Sequence, residues 1–364
     1  MNRVRARVLA AVAAAALLAG GCSTLGYYYQ AARGQLALAS AARPVGQVIE
    51  DPATPQELRT RLETAREIRA FASDALRLPD NASYRKYADL QRPYVVWNVF
   101  AAPEFSVRPR EWCFPVAGCV VYKGWFEEPK AEALAKELRE QGYDVLVLGV
   151  PAYSTLGWFD DPLLNTFIRY PRAEVARLVF HELAHQVAYA RDDTTFNESF
   201  ATAVEREGVR RWLAVAGAEA ERAEFEAMDA RKRDFVALVT RTRERLAALY
   251  AQPLAPEAMR AAKAAEFDRM RSEYEDLKRA WGGFRGYDRW FAQPLGNAHL
   301  ASVASYTELV PLFERMLAAS GGDLPAFYAE AKRLAKLPAA ERKRALQAYA
   351  DGAPGRTIAD GGPR

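Results

Sequence analysis

Histidine and cysteine are scarce in this chain, with three of each among 364 residues. Any imidazole or thiol chemistry must use those six side chains. No internal repeat is visible, which removes solenoids and propellers from consideration. The longest apolar run near the start, Val8 to Ala19, has twelve residues. That is too short for a permanent membrane-spanning helix, which needs about 20. Half of the residues are hydrophobic and 26% are charged, so wholesale disorder is excluded and a real core is expected. The formal charge is +4 and the pI about 8.8, a balance that on its own would hint at nucleic acid.

The first 21 residues account for much of that charge. Arg3, Arg5 and Arg7 precede the apolar run, which ends in Leu18-Ala-Gly-Gly-Cys22. This reads as an export signal, residues 1–21, and its end resembles a bacterial lipobox, in which Cys22 becomes an acylated first residue. Cleavage without lipidation is the rival, because Ala19 is less usual than Leu at its place. Ser23 follows, with no Asp to hold the product at the inner membrane. By resemblance to lipoprotein sorting signals, the expected place is the periplasm-facing side of the outer membrane. Cleavage would leave 47 basic against 46 acidic residues, a charge of +1, and no case for a nucleic-acid partner.

The other two cysteines, Cys113 and Cys119, enclose five residues that include Pro115 and Gly118. In an oxidising compartment this spacing favours a disulfide-closed loop. Half of a zinc site is the rival, but no histidine lies within sixty residues.

The spacing of apolar positions predicts helices over 26–42, 54–78, 127–141, 172–190 and 195–212, and strands over 94–100, 119–122 and 144–150. Residues 154–159 read as a short strand or extended loop. From about Trp212 to Trp281 the chain is helical and charged, broken near Pro253 and Pro256, and residues 351–364 read as a disordered tail. The expectation is a mainly helical α+β protein with a small sheet. It divides into a helical N-terminal part (26–90), a mixed core (91–212) and a charged helical C-terminal part (213–350), all within one domain over 22–350.

Two of the three histidines stand four residues apart in His181-Glu-Leu-Ala-His185. On a helix, positions i and i+4 share one face, so both imidazoles can grip one metal ion, with Glu182 beside them as a general base. No Gly or Pro interrupts residues 172–190, and Val175, Leu178, Val179, Leu183 and Ala184 supply an apolar side. The chance alternative is two histidines on an exposed helix. A catalytic Zn2+ needs a third protein ligand and an open position. Ala188 and Arg191 stand where a metzincin would have Gly and His. Glu198 is the better third ligand, because a reversal over residues 191–194 brings the next helix back alongside. Asp192 and Asp193 sit in that turn and are rivals, or cap and orienting groups.

His181-Glu-Leu-Ala-His-Gln186 followed by Phe196-Asn-Glu-Ser-Phe-Ala-Thr202 resembles the gluzincin metallopeptidases, although the gap is shorter than in the large gluzincin aminopeptidases. More closely, the chain is similar to a bacterial family of predicted aminopeptidases over most of residues 22–350. The likeness is carried by Tyr94–Phe100, Trp112–Cys119, Tyr153–Phe159, the metal motif and Leu300–Tyr306. The resemblance implies a zincin-like peptidase with one Zn2+ held by His181, His185 and Glu198, Glu182 as base, and a peptide substrate in the cell envelope. An aminopeptidase on short peptides is the first reading. An endopeptidase or oligopeptidase, or a peptide-binding lipoprotein without catalysis, remains as the alternative. Tyr306, Tyr287 and His299 are candidate oxyanion donors. By analogy with zincins, Ser154, Thr155, Leu156 and Gly157 are a candidate strand for pairing with substrate, with a buried structural turn as the rival.

Overall fold

The structure, a computed structural model, describes residues 26–114, 118–152, 154–217 and 219–350, without the side chains of Ser305 and Tyr306. The export signal, Cys22, the 351–364 tail and the Tyr306 side chain therefore lie outside the described residues. The N-terminal part comprises helix α1 (26–41), strand β1 (Arg43–Pro44), helices α2 (Val45–Glu50) and α3 (Gln56–Asp74), and strand β2 (Lys86–Ala88). The core follows with β3 (Val96–Pro103), β4 (Trp112–Phe114), β5 (Gly118–Val120), β6 (Lys123–Trp125), α4 (Glu128–Glu140), β7 (Tyr143–Val150), β8 (Leu163–Leu164), α5 (Arg172–His185) and α6 (Thr194–Val215). The C-terminal part is helical: α7 (Glu219–Tyr250), α8 (Pro256–Ala280), α9 (Asp288–Phe291), α10 (Asn297–Thr307), α11 (Val310–Ala319), α12 (Leu324–Ala335) and α13 (Ala339–Gln347). The protein is a mainly helical α+β fold with small sheets.

The sheet that frames the interior has the order β6-β3-β7 and is antiparallel throughout, with Val96 opposite Val150 and Trp97 opposite Trp125. Side chains alternate across its faces. Trp97, Val99 and Ala101 pack on Ala131, Ala135 and Leu138 of α4. The opposite face carries Phe100 and Leu146, which meet Ala298 of α10. β3 is apolar on both faces because helices cover both.

Helices α5 and α6 run side by side beneath this sheet, and their contact is unusually close at Gly208. A Cβ there would stand 2.7 Å from Phe180 and 2.8 Å from Leu76, so only glycine lets the two helices approach this far. Phe313 and Phe327 of α11 and α12 pack on Phe200 of α6 and close its outer side. The charged segment after residue 213 is a hairpin of α7 and α8, whose Phe235, Leu238, Phe267 and Tyr274 form a separate apolar cluster with Phe291 and Leu300. No helix among the described residues is long and apolar enough to cross a membrane.

One expected boundary moves and one open reading closes. The helix read over 172–190 stops at His185, and the chain turns five residues earlier than its apolar pattern suggested. The segment Ser154–Gly157, for which a substrate strand and a structural turn were the two readings, takes the turn, with Leu156 at φ 57° and Gly157 at φ 81°. Left-handed backbone of this kind cannot present a pairing edge. The buried Asp161 imposes it by accepting from the Thr155 amide (2.9 Å) and the Thr155 hydroxyl (2.8 Å).

Candidate metal centre

Helix α5 is buried over most of its length because Val175, Ala176, Val179, Phe180, Leu183 and Ala184 all enter the core. His181 and His185 share its remaining face, and both are themselves buried. The chain then reverses. Asn197 holds the reversal: its Oδ1 accepts from the Ala190 amide (2.7 Å) and its Nδ2 donates to the Ala190 carbonyl (2.8 Å). Asp193 caps α6 by accepting from the Phe196 amide (2.9 Å), and Arg342 pairs with it from α13.

The neighbouring Asp192, at φ 63°, accepts from the Cys119 amide (2.6 Å), which ties the turn to the β4–β5 hairpin. Cys113 and Cys119 are joined by a disulfide across that hairpin. Both aspartates are therefore committed to holding the turn, and Glu198, one residue beyond Asn197, is delivered to the histidine face.

Glu198 Oε2 lies 3.2 Å from His181 Nε2 and 3.7 Å from His185 Nε2. The ligand atoms of His181, His185 and Glu198 all fall within 4.8 Å of one another, and this is the one such group among the described residues. It is a donor set that can hold a metal ion. His181 Nδ1 faces away from the group and meets Glu205 Oε2 at 2.8 Å. Glu205 is in turn approached by Arg177 Nη1 at 3.2 Å and Lys232 Nζ at 3.5 Å.

The electrostatics follow from burial. Desolvation would raise Glu198, but the two imidazoles outweigh it and hold the carboxyl at about 2. Glu205 is pulled well below the ordinary carboxylate range, against its burial, by Arg177, Lys232 and His181. Burial alone would lower His181, yet hydrogen bonds to Glu198 and Glu205 raise it to about 10. Glu182 is pushed up, first by burial, with His181 and His185 opposing. A carboxyl raised in this way is suited to exchanging protons.

These residues line a cavity of about 790 Å³ between the sheet and helices α1, α5, α6, α7 and α10. Ser154 and Leu156 reach it from their turn. Tyr287 also lines it, but its ring is stacked on Phe235 at 4.3 Å. His299 is not among the lining residues. It is buried, and its Nδ1 accepts from the Gly296 amide at 3.2 Å, which anchors the start of α10. Two phenols that sequence reasoning passed over do line the cavity, Tyr122 and Tyr189. The Tyr122 hydroxyl is raised well above its ordinary value by burial and then by Glu198. Glu205 was also passed over. Its signal is its place seven residues after Glu198, two helical turns along the same face.

The model of one family, described as "Putative aminopeptidase", matches residues 26–346. The chain belongs to that family. The match takes in the cavity, the three converging side chains and both helical parts that flank them. No curated protein and no solved structure matches this aminopeptidase-family chain.

Proposed function

We propose that this protein is a zinc-dependent peptidase acting on short peptides in the cell envelope, with the amino-terminal bond as its first target. The observation that carries the reading is the convergence of His181 Nε2, His185 Nε2 and Glu198 Oε2 in one buried cavity. With ligand distances of about 2.0–2.2 Å, ligand atoms around a tetrahedral zinc stand roughly 3.3–3.6 Å apart. The separations of 3.2 and 3.7 Å bracket that spacing. Two imidazoles and a carboxylate are also a known zinc donor set that leaves one position open. A zinc ion bound there supplies Lewis acidity, polarising a peptide carbonyl and acidifying a water molecule.

The chain's own groups complete the reaction. Glu182 takes a proton as water oxygen adds to the carbonyl carbon, then returns it to the nitrogen as the C–N bond breaks. Glu205 fixes the tautomer and orientation of His181. Tyr122 offers a phenolic donor for the oxyanion. The cavity volume falls within the range of small-ligand sites and favours short peptides over folded proteins. The N-terminal export pattern and Cys22 support a lipid anchor and a periplasm-facing position.

Metal analysis together with hydrolysis of short peptides tests the proposal. Wild type is expected to hold one zinc and to lose activity with a chelator. Glu182→Gln should keep the metal and lose about 10²–10⁴-fold in kcat. Undiminished turnover by that variant would sink the mechanism.

A further inference from the structure

The charges in the cavity divide unevenly. Its described lining carboxylates all have work: Glu198 faces both imidazoles, Glu205 is held by three cationic or imidazole partners, and Glu182 is the proton carrier of the proposed reaction. None is left to receive the α-ammonium of a peptide. Of the cations, Arg177 is taken by Glu174 at 2.7 Å and Glu205 at 3.2 Å. Lys232 differs. It enters the cavity from α7, and its one ion pair among the described residues is the 3.5 Å approach to Glu205. An ammonium has three donors, and among the described residues no side-chain hydrogen bond from Lys232 accompanies that pair. The cavity wall is largely apolar, with Phe235, Val236, Tyr287, Trp290 and Val303 in its lining, while Lys232 itself faces Glu205 and Glu174 on one side of the balance and Arg177 and Arg206 on the other. A partly desolvated cation in such a wall attracts an anion more strongly than a surface lysine does.

We propose that Lys232 receives the free C-terminal carboxylate of a di- or tripeptide laid across the metal centre. This rests on the peptidase reading above and names its substrate class. The chain of contacts Lys232–Glu205–His181 keeps the ammonium within about 11 Å of His181 Nε2. An extended peptide advances about 3.3 Å per residue, so the carboxylate lies one or two residues past the cleaved bond. The site thus measures peptide length from the carboxyl end, and cleavage of the first bond follows from the substrate being short.

Trileucine and its C-terminal amide, which differ only in that charge, supply the test. Binding is measured calorimetrically on zinc-loaded Glu182→Gln, which turns them over about 10²–10⁴-fold more slowly, at a temperature where no hydrolysis is detected during the titration. The free acid is expected to bind at least tenfold more tightly, and Lys232→Met in that background should erase the difference, while Lys232→Arg keeps part of it. In wild-type turnover, amidation should raise KM at least tenfold with a much smaller change in kcat. Equal binding of acid and amide to Glu182→Gln overturns the proposal. So does a Lys232→Met protein that keeps the preference. The wild-type comparison needs no substitution, so it decides the matter even if Lys232→Met fails to fold. If wild type cleaves neither peptide, the peptidase reading fails, whereas the acid-against-amide comparison still decides the role of Lys232.

Discussion

Glu205 Oε2 stands 2.8 Å from His181 Nδ1, on the opposite side of the imidazole from Glu198 Oε2 at 3.2 Å. Both carboxylates belong to α6, two turns apart, so one helix supplies a first contact and its support. Such a backing carboxylate selects the tautomer with the proton on Nδ1 and leaves Nε2 free to bind a metal.

Glu205→Gln is therefore expected to weaken zinc binding about 10–100-fold, measured by competition with a chromophoric chelator. The far-UV signal of the helices should persist. Unchanged zinc affinity in a folded variant would mean that Glu205 serves Arg177 and Lys232 alone.

The Asn197 clamp makes a separate stability prediction. Asn197→Ala leaves the Ala190 amide and carbonyl unpaired in a buried turn, at a cost of about 2–4 kcal/mol. Asn197→Asp keeps the acceptor and loses the donor, so it should fall between. Urea unfolding measures both. An Asn197→Ala loss below about 0.5 kcal/mol would show that the turn is held by Asp193 and Arg342 instead.

His299 gives the pH dependence. Burial lowers it from an ordinary 6.5 to about 4, with Asp144 opposing incompletely. The unfolded chain takes up a proton between these values and the folded chain does not, so stability is full above about pH 6.5 and declines as pH falls toward 4. The loss is roughly 3 kcal/mol. His299→Asn retains an acceptor for the Gly296 amide without a titrating ring. The difference in unfolding midpoint between wild type and this variant should grow as pH drops from 7 to 4. Parallel curves would reject the assignment.

His181 and His185 were legible as a candidate metal-binding pair because a helix puts residues four apart on one face, and that rule needs no tertiary information. Glu198 followed from chain reversal alone. Glu205 was passed over as one of 46 acidic residues, because its one local mark, the seven-residue spacing from Glu198, gains meaning only when α5 and α6 are packed together. The early stop of α5 at His185 depends on Asn197, twelve residues away, and no periodicity reports such a clamp. The choice between strand and turn at Ser154–Gly157 stayed open for a similar reason. The residues there suit an extended strand, and a buried carboxylate further along decides otherwise. His299 drew attention by rarity, yet a scarce residue is not thereby a functional one. Lys232 lies on a helix whose charge pattern reads as solvated, and only its fold carries that position into the cavity.

Gly208 joins helix packing to the site. Adding a methyl group there drives α6 away from Phe180 and Leu76, and overpacking of this kind costs about 1–3 kcal/mol. Because Glu198 and Glu205 ride on α6 while both histidines ride on α5, the same displacement opens the ligand set. Gly208→Ala should therefore lower zinc affinity as well as the unfolding midpoint, even though residue 208 touches no ligand. A second substitution separates the two effects. Phe180→Leu removes ring atoms from the contact, so the double variant should regain zinc affinity relative to Gly208→Ala while remaining less stable than wild type. If Gly208→Ala lost stability and kept full zinc affinity, the spacing of α5 and α6 would not be what sets the geometry of His181, His185 and Glu198.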